Sequence, residues 1–160
     1  RDAETFGESR FSIAYNFGSG DSDPADGNHD TFDNLYPSNH SLYGHMDLFS
    51  LQNVHNVELA LAGNAGEKTS WRFAYQAFRL VEPENDAWYK ADGTSFFAAP
   101  GTSAEAVAGT EIDLTVRREL PWDSWAELGF CQFFSGDYID EVDGLDKDPH
   151  YLYFMLQKDF

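Results

Sequence analysis

The fold is decided by residues 111–117, Glu-Ile-Asp-Leu-Thr-Val-Arg, in which polar and apolar side chains alternate at every position. Ile112, Leu114 and Val116 fall on one side of an extended chain, and the polar residues between them fall on the other. A helix repeats every 3.6 residues and would mix the two classes, whereas a strand repeats every two residues. The stretch therefore predicts a β-strand with one apolar face and one polar face.

The same alternation occurs in five further segments, which are residues 11–18, 57–62, 71–76, 126–131 and 152–160. Six amphipathic strands without a helical period predict an all-β chain, organised as a single domain over residues 1–160. Because the strands share one parity, we expect one set of apolar side chains to face outward from a single curved antiparallel sheet. That set is Phe11, Ile13, Leu59, Leu61, Phe73, Leu114, Leu128 and Phe154.

The segments between the strands alternate between long and short. The long connections cover about 19–52, 81–108 and 136–150, and the short ones cover 64–70 and 119–123. Outer-membrane β-barrels have this asymmetry, with tight turns in the periplasm and long loops outside the cell. The pattern predicts an antiparallel up-and-down transmembrane β-barrel in the outer membrane of a Gram-negative bacterium, with the long connections as extracellular loops.

Six strands are too few for a transmembrane barrel, since the smallest barrels close with about eight. We therefore expect the chain to supply the C-terminal strands of a larger barrel whose other strands lie on its N-terminal side. The last strand alternates up to Phe160, and a C-terminal phenylalanine is the usual ending of such barrels. Trp71, Trp122 and Trp125 surround the two short turns, where an aromatic girdle at the membrane interface is expected.

The composition narrows the classes of partner. Of the 160 residues 42% are hydrophobic and 16% aromatic, and the formal net charge is −18. This charge disfavours nucleic acid as a partner, because binding to phosphate requires basic residues. No apolar run reaches the roughly 18 residues of a transmembrane helix, and the one cysteine, Cys131, permits no internal disulfide. Outer-membrane lipid is the expected partner of the apolar side chains.

Charged residues on the polar parity are candidates for lining a pore. They are Arg72, Arg117, Glu58, Glu111, Asp113 and Glu127. The two arginines fall on neighbouring strands of a meander and would form a basic ladder, with Glu111 and Glu127 orienting them. Alternatively, each arginine only neutralises a neighbouring carboxylate in the wall.

Paired carboxylates also hydrolyse glycosides, but no nucleophile motif, phosphate loop or Ser-His arrangement is recognisable, so we expect no enzyme activity.

Two acidic stretches are candidates for binding Ca²⁺ through carboxylate oxygens. Their candidate ligands are Asp21, Asp23, Asp26, Asp137, Asp140 and Asp143. Neither stretch fits the EF-hand loop, which requires glycine at its sixth position and glutamate at its twelfth, so solvated acidic loops are the alternative. The five histidines match no closed zinc spacing, and Cys131 is predicted to lie away from them. We expect no other cofactor.

Several blocks of sequence resemble the alginate export family of outer-membrane porins. The first is Thr-Phe-Asp-Asn-Leu-Tyr-Pro-Ser-Asn-His at 31–40, followed by Tyr-Gly-His-Met-Asp at 43–47. The others, at 86–89, 109–113 and 133–138, follow in the expected order. The resemblance implies a monomeric barrel of about eighteen strands, of which this chain is the C-terminal third or so. It also implies outward passage of a polyanionic polysaccharide, alginate, as the transported solute.

The charge on the polar parity departs from what the resemblance implies, since a conduit for a polyuronate should have a basic lumen. The charged residues of this parity are Arg10, Arg72, Arg117, Glu58, Glu111, Asp113, Glu127 and Asp159. A soluble carbohydrate-binding β-domain with acidic Ca²⁺-binding loops therefore stays open as the alternative to a porin. Dependence on detergent separates the two, because a porin is insoluble without an amphiphile.

Overall fold

The computed structural model of the protein describes residues 8–35, 42–102, 104–142 and 148–158. In chain order its elements are β1 (Arg10–Gly18), β2 (Val54–Asn64), β3 (Thr69–Leu80), β4 (Trp88–Tyr89), β5 (Ser95–Phe97), β6 (Val107–Leu120), β7 (Ser124–Ser135), α1 (Asp137–Val142) and β8 (His150–Lys158). No helix among the described residues is long and apolar enough to cross a membrane. The all-β prediction is confirmed, and each predicted segment lies in a long strand, apart from Asp159 and Phe160, which fall outside the described residues.

The six long strands form one antiparallel sheet in the order β1-β2-β3-β6-β7-β8. Each pairs with the long strand that follows it in the chain, which is the up-and-down connection that the sequence predicts. The sheet is not closed in the part of the chain that the structure describes, because β1 and β8 occupy opposite edges. The antiparallel meander is therefore confirmed, and its two open edges expose backbone groups with which further strands can pair.

Two tight turns join strands at one end of the sheet. Residues 65–68 connect β2 to β3, and residues 121–123 connect β6 to β7. Gly66, Trp122 and Asp123 have φ angles of 73°, 63° and 51°, the left-handed conformation that hairpin turns use. All three long connections lie at the opposite end, so the predicted asymmetry is confirmed. We call the two ends the turn end and the loop end.

The sheet has two unlike faces, which follow from the alternation along each strand. The apolar face carries the eight side chains predicted to face outward, with exposed fractions from 38% at Leu59 and Phe73 to 69% at Phe154. The polar face carries the residues between them, and in its middle Ala60 and Ala74 are 2% exposed or less. Within the described residues no closed core covers the apolar face, so the predicted placement of these side chains is confirmed.

Trp125 does not belong to the aromatic girdle that the sequence predicts. It pairs with Glu119 and Gln157 on the polar face, where its ring centroid lies 4.1 Å from the guanidinium carbon of Arg117. Trp122, by contrast, is 83% exposed in a turn. The prediction used closeness along the chain, whereas the pleat of the strand decides the face on which a side chain lies.

At the loop end, the long connections fold onto the polar face and form a hydrophobic core. The Phe49 ring stacks on Phe78 of β3 and on Trp88 of β4, with ring centroids 3.9 and 4.5 Å apart. The Trp88 indole donates a hydrogen bond to the Leu48 carbonyl at 2.7 Å. This loop core comprises Tyr43, Phe49, Val54, Phe78, Leu80, Trp88, Ala108, Phe133, Tyr138 and Ile139. Described residues of the long connections therefore pack against the sheet, a feature that was not predicted from the sequence.

A buried carboxylate ties the first long connection to the second. Asp86 Oδ2 accepts hydrogen bonds from the Asp21 amide at 3.0 Å and from the Thr31 hydroxyl at 2.6 Å. Asp86 Oδ1 accepts hydrogen bonds from the Ala87 amide and the Tyr89 hydroxyl, both at 2.7 Å. Because both oxygens have donors, the cost of burying this carboxylate is offset and the two connections are held together.

The Tyr89 phenol is expected to make the loop end sensitive to alkali. Burial, together with the hydrogen bond to Asp86, raises the pKa of Tyr89 from 10.0 to about 12. Because the folded pKa exceeds the unfolded one, the phenol's stabilising contribution is complete below pH 10 and is lost as the pH rises through about 12. Spectrophotometric titration of Tyr89→Phe should lack one late-ionising tyrosine that the parent protein shows. Equal late phases in the two proteins would contradict this expectation.

Candidate functional site

Two arginines on the polar face near the turn end are each bound by a glutamate. Arg72 Nη2 lies 2.7 Å from Glu58 Oε1. Arg117 reaches Glu127 Oε2 through both Nε and Nη2 at 2.8 Å. Arg117 and Glu127 are direct cross-strand partners in β6 and β7, which puts them on one face. Glu111 was predicted to orient an arginine, whereas in the structure Glu58 is the carboxylate that binds Arg72.

Two aromatic residues hold Arg117 in place, a role that was not predicted for either of them from the sequence. The Trp125 ring lies against the guanidinium group, a cation–π contact. The Tyr153 hydroxyl donates a hydrogen bond to Glu127 Oε1 at 2.8 Å, which orients the carboxylate that binds Arg117. The Tyr153 ring covers its cross-strand partner Gly129, where an added Cβ would lie 2.1 Å from the ring. The parity of these residues could be read from the sequence, but their cross-strand partners could not.

The two arginines line a groove of about 610 Å³ at the turn end. Charged and polar lining residues include Glu8, Arg10, Ser70, Arg72, Thr115, Arg117 and Glu127. Counting Glu58, which binds Arg72, three arginines stand against three glutamates at the groove, whereas the whole chain has a net charge of −18. A guanidinium group binds carboxylates through a planar fork of donors. The guanidinium groups that line the groove are therefore the donors that a carboxylate-bearing anion would contact.

Toward the loop end, three amide side chains form a hydrogen-bonded row across the polar face. Asn16 donates to Asn56, and Asn56 donates to Gln76, both at 2.9 Å. Asn56 and Gln76 are buried, and a buried amide is tolerated when it is paired in this way. The polar face between the arginines and the loop end therefore carries hydrogen-bonding groups without charge.

Glu111 and Asp113, which were also predicted to line a pore, lie apart from the groove. Both are on β6 and fully buried beneath the first long connection. The Met46 amide donates a hydrogen bond to Glu111 Oε1 at 3.0 Å, and His45 Nδ1 lies 3.5 Å from Asp113 Oδ2. Gly44 has a φ of 93°, and a Cβ on it would lie 2.6 Å from Glu111 Oε2. Only glycine lets the chain approach the carboxylate this closely.

Aspartates of the first acidic stretch take part in local turns. Asp21, Asp23 and Asp26 each accept a hydrogen bond from the amide two residues later, at 3.1, 3.1 and 2.7 Å. Such Asx turns are a common reason for aspartate in loops. At Asp26 the Asn28 donors lower the pKa of the carboxyl below its usual value. Turn formation thus accounts for the spacing of these residues.

The second acidic stretch contains a helix that the sequence analysis did not predict. Asp137 and Asp140 lie in the first turn of α1, where the partial positive charge of a helix N-terminus favours acidic side chains. Asp143 lies outside the described residues. Ca²⁺ binding by the two acidic stretches stays a prediction.

Within the described residues, one group of His, Cys, Asp and Glu side chains meets the spacing of a metal site. Glu111, Asp113 and Cys131 place one ligand atom each within 4.8 Å of one another. His45 lies beside the same Asp113 carboxylate. The sequence-based expectation that Cys131 lies away from the histidines is therefore wrong, because the first long connection folds back over β6.

Comparison with models of protein families shows which proteins the chain is similar to. The family model described as alginate export matches residues 4–150. This span contains every block that carried the resemblance in the sequence, so the resemblance is confirmed. A search of curated proteins finds no match.

Proposed function

Since the chain belongs to the alginate export family, we propose that it forms the C-terminal part of an outer-membrane porin that passes an anionic polysaccharide such as alginate. The observation that carries the proposal is a groove with three arginines on the face opposite an exposed apolar face. A channel wall needs both properties, one toward lipid and one toward its charged cargo. The family is one of transport proteins, and we propose no catalytic step.

The apolar face supports a position in a bilayer. It belongs to all six long strands, and its eight predicted side chains are each exposed by 38% or more. Moving one Leu or Phe side chain from water into an apolar medium is worth about 1.5–3 kcal/mol. Eight such side chains favour hydrocarbon over water by on the order of 10 kcal/mol. The alternative of a soluble carbohydrate-binding domain offers nothing to cover this face.

The open edges of the sheet support closure by further strands. Unpaired backbone groups on β1 and β8 would be costly in hydrocarbon, where no water replaces the missing hydrogen bonds. We propose that additional strands close the sheet into a monomeric barrel of about eighteen strands, as the family implies. The turn end then faces the periplasm, and the loop core lies at the extracellular mouth.

The groove supports an anionic cargo. Arg72 and Arg117 present guanidinium nitrogens to it, and Glu58 and Glu127 hold their side chains in fixed positions. A fixed fork binds a carboxylate with little loss of side-chain entropy, which suits repeated weak contacts along a uronate chain. Nucleic acid is an unfavourable partner for the chain as a whole, because its net charge is −18.

Conductance in a planar bilayer tests the proposal. The complete barrel, purified in detergent, should insert and give stepwise currents. Oligouronates added on the turn-end side should reduce the current more than neutral glucose oligomers of the same length do, because only the uronates bind the arginines. A protein that stays soluble without detergent and gives no conductance would contradict the porin proposal. Equal block by both sugars would reject the anionic cargo alone.

A further inference from the structure

The polar face carries a second constellation, which the conduction of a sugar does not use. Asp113 of β6 is the cross-strand partner of Cys131 of β7, and Glu111 lies two residues away on the same face. Carboxylate oxygens of Glu111 and Asp113 and the Cys131 sulfur all lie within 4.8 Å of one another. All three side chains are 1% exposed or less. Two carboxylates and a thiol are thus held together out of contact with solvent.

The carboxylate oxygens of this cluster lack hydrogen-bond donors, apart from Glu111 Oε1, which accepts a hydrogen bond from the Met46 amide. Glu111 Oε2 and both oxygens of Asp113 receive no hydrogen bond from any described residue. The arginines of the groove are engaged by Glu58 and Glu127 and lie elsewhere on the face. Burying two adjacent carboxylates without compensation is strongly unfavourable, since each loses its hydration and repels the other. A positively charged ligand between them would remove both penalties.

The first long connection forms a roof over the cluster. His45 Nδ1 lies 3.5 Å from Asp113 Oδ2, and the Met46 amide donates to Glu111 Oε1. A cavity of about 220 Å³ beside the roof is lined by His45, Met46, Asp47, His150 and Tyr151. Tyr151 is the cross-strand partner of Cys131, so the cavity lies next to the cluster.

We propose that Glu111, Asp113 and Cys131, with His45 as the fourth ligand, bind a divalent cation of the zinc class. Two carboxylate oxygens, a thiolate sulfur and an imidazole nitrogen are the ligand types that Zn²⁺ accepts, whereas Ca²⁺ and Mg²⁺ take oxygen. Around a tetrahedral ion with ligands at about 2.0–2.3 Å, ligand atoms lie roughly 3.3–3.8 Å apart. The Glu111, Asp113 and Cys131 atoms, now within 4.8 Å of one another, would therefore draw together on binding, and His45, which lies 3.5 Å from Asp113 Oδ2, would join them. Binding releases the thiol proton to solvent.

The bound ion would fasten the first long connection to the sheet. His45 is the ligand that comes from this connection, while the other three ligands come from β6 and β7. The ion therefore links the roof to the wall, and its removal should loosen residues 42–49. The site could not be predicted from the sequence, because its histidine and its other ligands are far apart in the chain.

Cobalt titration of the complete barrel in detergent tests the site without reference to transport. After treatment with a chelator, the protein should bind one Co²⁺ per chain, with a sulfur-to-cobalt charge-transfer band and tetrahedral d–d bands, and Zn²⁺ should displace the Co²⁺. Cys131→Ser should lose the charge-transfer band, and Asp113→Asn should weaken binding by about tenfold or more. Glu119→Gln is the matched control and should bind as the parent does, because it removes an exposed carboxylate of the same strand and face outside the cluster.

The cobalt titration of the parent protein shows whether the cluster binds a divalent cation, even where a variant does not fold. If the parent retains heat-modifiable gel mobility and shows no cobalt bands, the two carboxylates share a proton and the proposal is overturned. A sulfur-to-cobalt charge-transfer band that persists in Cys131→Ser would also overturn it, because Cys131 is the one cysteine of the chain. Either result leaves the porin proposal untouched, since neither reports on conductance.

Discussion

Replacing Arg72 and Arg117 together by alanine is expected to shift the selectivity of the complete barrel away from anions by at least about twofold. Both side chains line the groove, and a charge in a channel wall acts on an ion across a low-dielectric boundary. At about 5–8 Å, with an effective dielectric constant of 20–80, one charge contributes roughly 0.5–3 kcal/mol. The reversal potential under a salt gradient in a planar bilayer measures the change.

A double variant on the other face is the matched control for this experiment. Arg79→Ala with Arg118→Ala removes the same charge from exposed positions on the apolar parity, where Arg118 donates to Thr69 Oγ1 at 3.0 Å. This control should leave the reversal potential unchanged, and both double variants should keep heat-modifiable gel mobility. An unaltered potential in the Arg72 and Arg117 variant would mean that each arginine only neutralises its glutamate.

Replacing Trp88 by alanine is expected to open the loop end, at a cost of about 3–5 kcal/mol of local free energy. Trp88 is 1% exposed, stacks on Phe49, and donates to the Leu48 carbonyl. The substitution removes buried aromatic surface and leaves a cavity among neighbours that two connections and the sheet supply. If local opening limits cleavage, protease should cut the connection between β3 and β6 at least about 100-fold faster than in the parent.

Trp122→Ala is the control for that experiment, because it replaces the same residue type at an exposed turn position. Trp122 is 83% exposed, so its replacement should change stability by no more than about 0.5 kcal/mol and leave cleavage unchanged. Heat-modifiable gel mobility should persist in both variants, since the sheet does not depend on the loop core. Equal cleavage of the two variants would show that the loop core does not hold the long connections.

The sheet could be predicted because its signal is local. Side chains of a strand alternate between two faces whatever the strand pairs with. Residues 111–117 therefore predict both a β-strand and the side chains on each of its faces. Gly66 and Asp123 mark the tight turns, and a tight turn joins neighbouring antiparallel strands. Strand order followed from turn length, which explains why the meander was predicted correctly while the fold of the long connections was not.

The groove was predicted in part. Parity put Arg72 and Arg117 on one face, and Glu127 with them, but the partners depend on register. Tyr153 meets Glu127 only because β8 pairs with β7 at one particular offset. The connection between these strands includes a helix, so counting residues from a tight turn does not give that offset.

The sequence by itself determined the six amphipathic strands, their antiparallel order and the faces on which the arginines lie, because each depends on alternation and turn length within short windows. The tertiary structure alone decided the loop core and the cluster of His45, Glu111, Asp113 and Cys131. These form because aromatic and polar side chains of the long connections find partners on strands distant in the chain. Contacts of that kind leave no periodic pattern in the sequence. The free energy of burial depends on which side chains are close in space, and not on their spacing along the chain.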